Sequence, residues 1–161
     1  MLWKLTALFS LPYLRRLYMD RERQDWEIHY VSNSAPCIRE GRVEKSFPEY
    51  ICDAHTHGMN RYGHLEFQVV IDYGPRNIGY LLNTMGYRVQ AGEIFRNGDL
   101  VKGLLKNYDV QIRQMTDSMG EPVLRLVIPD KQYRWPENAE PPYQYQMLAT
   151  HLLYLDSGTS N

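Results

Sequence analysis

The chain has little cysteine: two residues in 161, Cys37 and Cys52. Two thiols with no CxxC spacing make neither a disulfide framework nor a cysteine zinc site. Such sparing use fits a reducing, cytoplasmic compartment. A surplus of either charge is also lacking, since 18 Lys and Arg face 19 Asp and Glu, a net charge of −1. A dedicated nucleic-acid binder needs a basic excess to displace counterions, so nucleic acid is excluded as a partner. The same balance excludes an acidic disordered chain. A long hydrophobic run is missing too. The apolar stretch from Leu5 to Leu14 is interrupted by Pro12, far short of the roughly 20 residues of a transmembrane span.

What is present is the composition of an ordinary globular protein, 43% hydrophobic and 23% charged. The length matches one domain, which at this size buries about 68–70% of its unfolded surface. It is too short for a (β/α)8 barrel, which takes about 250 residues. Residues 1–25 are expected to form an N-terminal helical extension. Met1 to Met19 carries Lys4, Arg15 and Arg16 and no acid. Its charges fall mainly after the apolar stretch and no small-residue cleavage site follows, so it does not read as a signal peptide. The segment is expected to pack on the domain or on a second copy of the chain. The alternative is membrane-surface contact through Trp3 and Phe9 beside the basic residues.

Residues 26–155 are expected to form a single α+β domain, followed by a disordered polar tail over 156–161. Trp26 to Val31 alternates apolar and polar residues, the period of a half-buried strand. Phe47 to Ile51 leads toward a second strand, and further strands are expected at Glu66 to Tyr73, Glu93 to Phe95, Leu100 to Leu105, Val110 to Met115 and Val123 to Ile128. Asn97-Gly98 supplies a hairpin dipeptide, and Gly103 a place for a bulge. Between them, Ile78, Leu81, Leu82, Met85 and Val89 make one apolar stripe at helical spacing. Pro75 suits the first position of that helix and Gly92 its left-handed end. Gly79 and Gly86 lie on the same side and would admit another backbone. A last helix is expected over Met147 to Leu155, with Met147, Leu148, His151, Leu152 and Leu155 on one side. The result is a mixed or antiparallel sheet of short strands packed on one central helix, with terminal helical segments.

Three of the five histidines fall close together, in Cys52-Asp53-Ala54-His55-Thr56-His57-Gly58 and Gly63-His64-Leu65-Glu66. On a strand, Asp53, His55 and His57 point to one face. An intervening turn would return His64 or Glu66 beside them. Zinc in a catalytic site takes three protein ligands and keeps one open position for water. The expected metal set is therefore His55, His57, His64 and Asp53, with Asp53 or Glu66 as ligand or general base. The same histidines can instead satisfy backbone groups at strand ends.

Asp53-x-His55-x-His57-Gly58 resembles the first-strand metal motif of the amidohydrolase superfamily. That family needs a barrel and further histidines downstream, whereas only His151 follows His64 here. A Cys52–His55 pair is disfavoured because positions three apart on a strand face opposite sides. Arg134-Trp135-Pro136 with Tyr143 and Tyr145 can form a sticky aromatic binding surface, though Trp135 is better suited to plugging the edge of the core.

A broader likeness runs over roughly 95 residues. It is carried by Gly63-His64-Leu65-Glu66, Leu81-Leu82-Asn83, Arg88 to Gly92, Phe95 to Val101 in the form F-x-x-G-D-x-V, Tyr108 to Arg113, and Leu126-Val127-Ile128-Pro129-Asp130 followed by Arg134-Trp135-Pro136. In these the chain resembles a bacterial family known as domain of unknown function 4262. The resemblance implies a small soluble bacterial protein and brings no activity with it. Two readings of function follow. The first is a non-enzymatic binding or regulatory module with a protein partner or as a homo-oligomer. The alternative is a small metal-dependent hydrolase or metal-binding protein that uses zinc.

Overall fold

The alternation from Trp26 onward becomes β1 (Glu27–Ser32), whose side chains divide between the two faces of a sheet. The computed structural model describes residues 24–43 and 46–155. The expected helical extension over 1–25, apart from its last two residues, and the expected disordered tail over 156–161 lie outside them. Next come the two-stranded ribbon β2 (Ile38–Arg39) and β3 (Arg42–Val43), then β4 (Ile51–His57) and β5 (Phe67–Ile71). The long helix α1 (Pro75–Gln90) leads into β6 (Leu100–Leu105), β7 (Tyr108–Thr116) and β8 (Pro122–Val127). A single turn, α2 (Thr150–Leu153), closes the described chain.

Six strands form one sheet in the order β1-β4-β5-β8-β7-β6. Neighbours are antiparallel except β5 and β8, which run parallel. Parallel neighbours need a crossover, and here it contains α1 and the β6–β7 hairpin. The architecture is α+β, with a mixed sheet and one helix of more than a few turns. The β6–β7 register shifts between Val101 and Leu105, around the position where a bulge is expected at Gly103, and Gly103 takes φ 75°.

α1 begins at Pro75, and all five stripe residues are buried. The helix packs on the face that carries Phe67, Val69, Leu124 and Leu126. The two helix glycines differ. A Cβ on Gly86 would lie 2.6 Å from Cε2 and Cζ2 of Trp26, whereas one on Gly79 would meet nothing within 4 Å. The close approach is to an indole ring at one glycine, rather than to a backbone along both.

Two expected elements are replaced. Glu93 to Phe95 is not a strand, because the Phe95 N–H donates to the His64 side chain at 3.1 Å instead of to a ladder. The helix expected over Met147 to Leu155 breaks at Leu148, which is extended (φ −79°, ψ 143°). A 3-10 turn (Tyr143–Met147) precedes the break and α2 follows it. Leu153 and Thr150 are buried there, while Leu152 and Leu155 face solvent. The carbonyls of Gln146 and Leu148 are turned inward to accept hydrogen bonds from Arg125. An unbroken helix would hold those carbonyls along its own axis.

Candidate functional site: a polar sheet face ending in three histidines

The period of two on β4 puts Asp53, His55 and His57 on the sheet face opposite α1. Cross-strand register extends that face. His29 stands opposite His55, Gln68 is its neighbour on β5, and Arg125 on β8 is opposite Gln68. A polar layer thus runs across four strands, roofed by the segment Gln146 to Tyr154.

Its inner part is buried and hydrogen-bonded throughout. Arg125 is completely buried. Its Nε donates to Gln68 Oε1 at 2.9 Å, Nη1 to the Gln146 carbonyl at 2.8 Å and Nη2 to Thr150 Oγ1 at 3.1 Å. Burial lowers its pKa to about 10, opposed by the negative charge of Asp53, so the guanidinium remains charged at neutral pH. Gln68 connects the two charges, because its Nε2 donates to Asp53 Oδ1 at 3.1 Å. Tyr154 Oη donates to Asp53 Oδ2 at 2.6 Å. Burial alone would raise the Asp53 pKa, but His55, Tyr154 and Gln68 together hold it below the ordinary value.

The outer part is open. His55 Nδ1 lies 3.5 Å from Asp53 Oδ1, an ion-pair distance outside hydrogen-bond geometry, and the side chain is 26% exposed. His29 stacks on His57 with ring centroids 5.2 Å apart and meets His55 edge-on at the same spacing. Glu27 lies beside His29 at 3.8 Å. Asp53 raises the pKa of His55 against the opposing effect of burial. A histidine whose folded pKa is raised contributes stability that is complete below its unfolded pKa. That contribution disappears as pH rises through the folded pKa. Asp53→Asn retains the shape and removes the charge. We expect the His55 ring-proton NMR titration to move to lower pH in this variant. An unchanged His55 midpoint would show that the carboxylate does not set it.

His64 and Glu66 do not join this face. The His64 Nε2 accepts from the Phe95 N–H at 3.1 Å, so Nδ1 bears the proton and donates to the Leu65 carbonyl at 2.7 Å. Both ring nitrogens are consumed in tying two loops together. Glu66 accepts from Thr56 Oγ1 at 2.6 Å and from the backbone N–H groups of Gly58 and Met59 at 2.8 and 3.0 Å. It clamps the 3-10 turn Met59–Tyr62 and has no base role to spare. The Gly63-His64-Leu65-Glu66 motif is thus a structural clasp. Among the described residues, no group of three or more His, Cys, Asp or Glu side chains is placed to hold a metal ion. The expected set of Asp53, His55, His57 and His64 is not assembled.

The remaining candidates are distributed differently. Cys52 faces the α1 side, away from His55, and burial pushes its thiol well up. Tyr143 is buried in the core. Arg134 Nε is paired with Asp130 Oδ2 at 2.7 Å, and Trp135 is half-buried at the start of a 3-10 turn (Pro136–Asn138). These three do not make one exposed aromatic surface. Sequence reasoning missed His29, Gln68, Arg125 and Tyr154. For His29 the strand alternation was a usable signal; the other three required the register. Among the described residues no helix is long and apolar enough to cross a membrane. Comparison with protein-family models, with curated proteins and with solved structures gives no match.

Proposed function

We propose that the protein is a non-enzymatic binding or regulatory module whose contact surface is the histidine face of β1 and β4. One observation carries this reading. Asp53, Gln68, Arg125 and Tyr154 behind the face are committed to holding the roof segment, while the exposed rings of His29 and His57 stand outside it and stack only on each other and on His55. Exposed aromatic-like rings that hold nothing in place are the groups a partner engages. The likeness to the bacterial family supports a small soluble bacterial protein, the sparse cysteine supports a cytoplasmic one, and either a protein partner or a second copy fits the face.

Covalent footprinting of histidines with diethyl pyrocarbonate tests this on the full chain. His29 and His57 are expected to react readily in the purified protein and to be protected in lysate of cells that produce it. Protection abolished by a chelator would overturn the reading in favour of a metal site. Equally ready labelling in both settings would overturn it outright, whereas protection in the purified protein that dilution removes would identify the partner as a second copy.

A further inference from the structure

On the far side of the sheet, the start of β7 and the loop after β8 hold an aromatic platform that the histidine face does not involve. Tyr133 stacks on Tyr108 with ring centroids 4.8 Å apart and planes at 22°. Its outer face remains in solvent, and the residue is 61% exposed. Tyr133 also takes φ 60°, a left-handed conformation that a bulky residue adopts only when its surroundings enforce it. The enforcing group is Asp130. Its Oδ1 accepts from the N–H groups of Gln132 and Arg134, both at 2.9 Å, and its backbone carbonyl accepts from the Tyr133 N–H at 2.9 Å. The loop is built to present this ring. Beside Tyr108 lies a shallow groove lined by Gly103, Leu105, Lys106, Asn107 and Asp109.

The charges around the platform select its ligand. Asp109 is paired with Lys102 at 2.9 Å, and Asp130 with Arg134 at 2.7 Å. Lys106 in the groove and Lys131 in the Tyr133 loop make no ion pair among the described residues. The two segments that carry the platform tyrosines therefore each hold one lysine outside any ion pair, Lys106 two residues before Tyr108 and Lys131 two residues before Tyr133. A flat ring gains by stacking on an exposed tyrosine face, and an attached anion gains from the two ammonium groups.

We infer that the Tyr108–Tyr133 platform is a binding site for a mononucleotide, with its base on the outer face of Tyr133 and its phosphate toward Lys106 and Lys131. Balanced net charge does not oppose this, because a single phosphate needs no basic surplus over the whole molecule.

The test is amide chemical-shift mapping of the full chain with AMP as the probe. AMP is expected to shift amides of residues 105–109 and 131–134 saturably in the millimolar range or below. Tyr133→Ala is expected to weaken binding about tenfold, and Tyr133→Gly, which suits the left-handed backbone, to weaken it equally. The pair Lys106→Ala with Lys131→Ala is expected to weaken AMP several-fold and leave adenosine unchanged. Absence of saturable shifts at these amides would overturn the proposal. So would undiminished binding by Tyr133→Gly, a variant chosen to fold even if Tyr133→Ala does not. Equal affinity for AMP and adenosine would overturn the assignment of the phosphate to the lysines.

Discussion

Replacing Arg125 with alanine is expected to destabilise the protein by about 3–5 kcal/mol, the cost of removing one partner from a buried charged network. That is a large fraction of the roughly 5–15 kcal/mol by which a domain is stable. The loss has three sources. The carbonyls of Gln146 and Leu148 and the Gln68 Oε1 lose their buried donor. Asp53 keeps its charge without the cation two contacts away. The roof segment loses its principal tie to the sheet. Arg125→Lys is expected to recover little, because one ammonium cannot reproduce a planar fork that reaches Gln68, two carbonyls and Thr150 at once. Urea unfolding measures both variants, and hydrogen exchange locates the effect. Faster exchange is expected first at Thr150 to Leu153. A loss below about 1 kcal/mol for Arg125→Ala would mean that the network is dispensable, since a single neutral hydrogen bond is worth that much.

Local periodicity was enough for what one element determines by itself. The α1 stripe and Pro75 gave a helix from 75, and alternation placed Asp53, His55 and His57 on one face. Pairings between distant residues were not legible. His29 meets His55 because β1 and β4 are in a particular register. Asp53 and Tyr154 are 101 positions apart. A histidine's chemistry also depends on where its ring nitrogens go, and residue spacing does not encode that. His64 looked like a ligand beside Glu66, yet each is spent on backbone groups of nearby loops. The C-terminal helix failed for a related reason. Its apolar pattern is real, but Arg125 competes for the carbonyls an unbroken helix would keep. Where a buried charge must be satisfied by main chain, tertiary demand overrides local propensity.

Trp26 sets the second large effect, and its neighbours give it a sharper test than simple truncation. The indole is wedged against Gly86, donates from Nε1 to Asn83 Oδ1 at 2.9 Å, and meets Tyr87 edge-on at 4.8 Å. Trp26→Ala is expected to cost about 3–5 kcal/mol, as for other large aromatic truncations in cores. Gly86→Ala has two opposing terms. Helix propensity favours alanine by about 1 kcal/mol, but the new methyl would stand 2.6 Å from the ring. Overpacking of that kind costs about 1–3 kcal/mol, so the variant is expected to be net destabilised or at best neutral in the parent chain. In the Trp26→Ala background the clash is gone and only propensity remains. There Gly86→Ala is expected to stabilise by roughly 1 kcal/mol. The two residues touch, so such non-additivity is what contact should produce. Urea midpoints of the four proteins in the cycle measure it. An effect of Gly86→Ala that is the same in both backgrounds would mean that the ring does not occupy the space above Gly86.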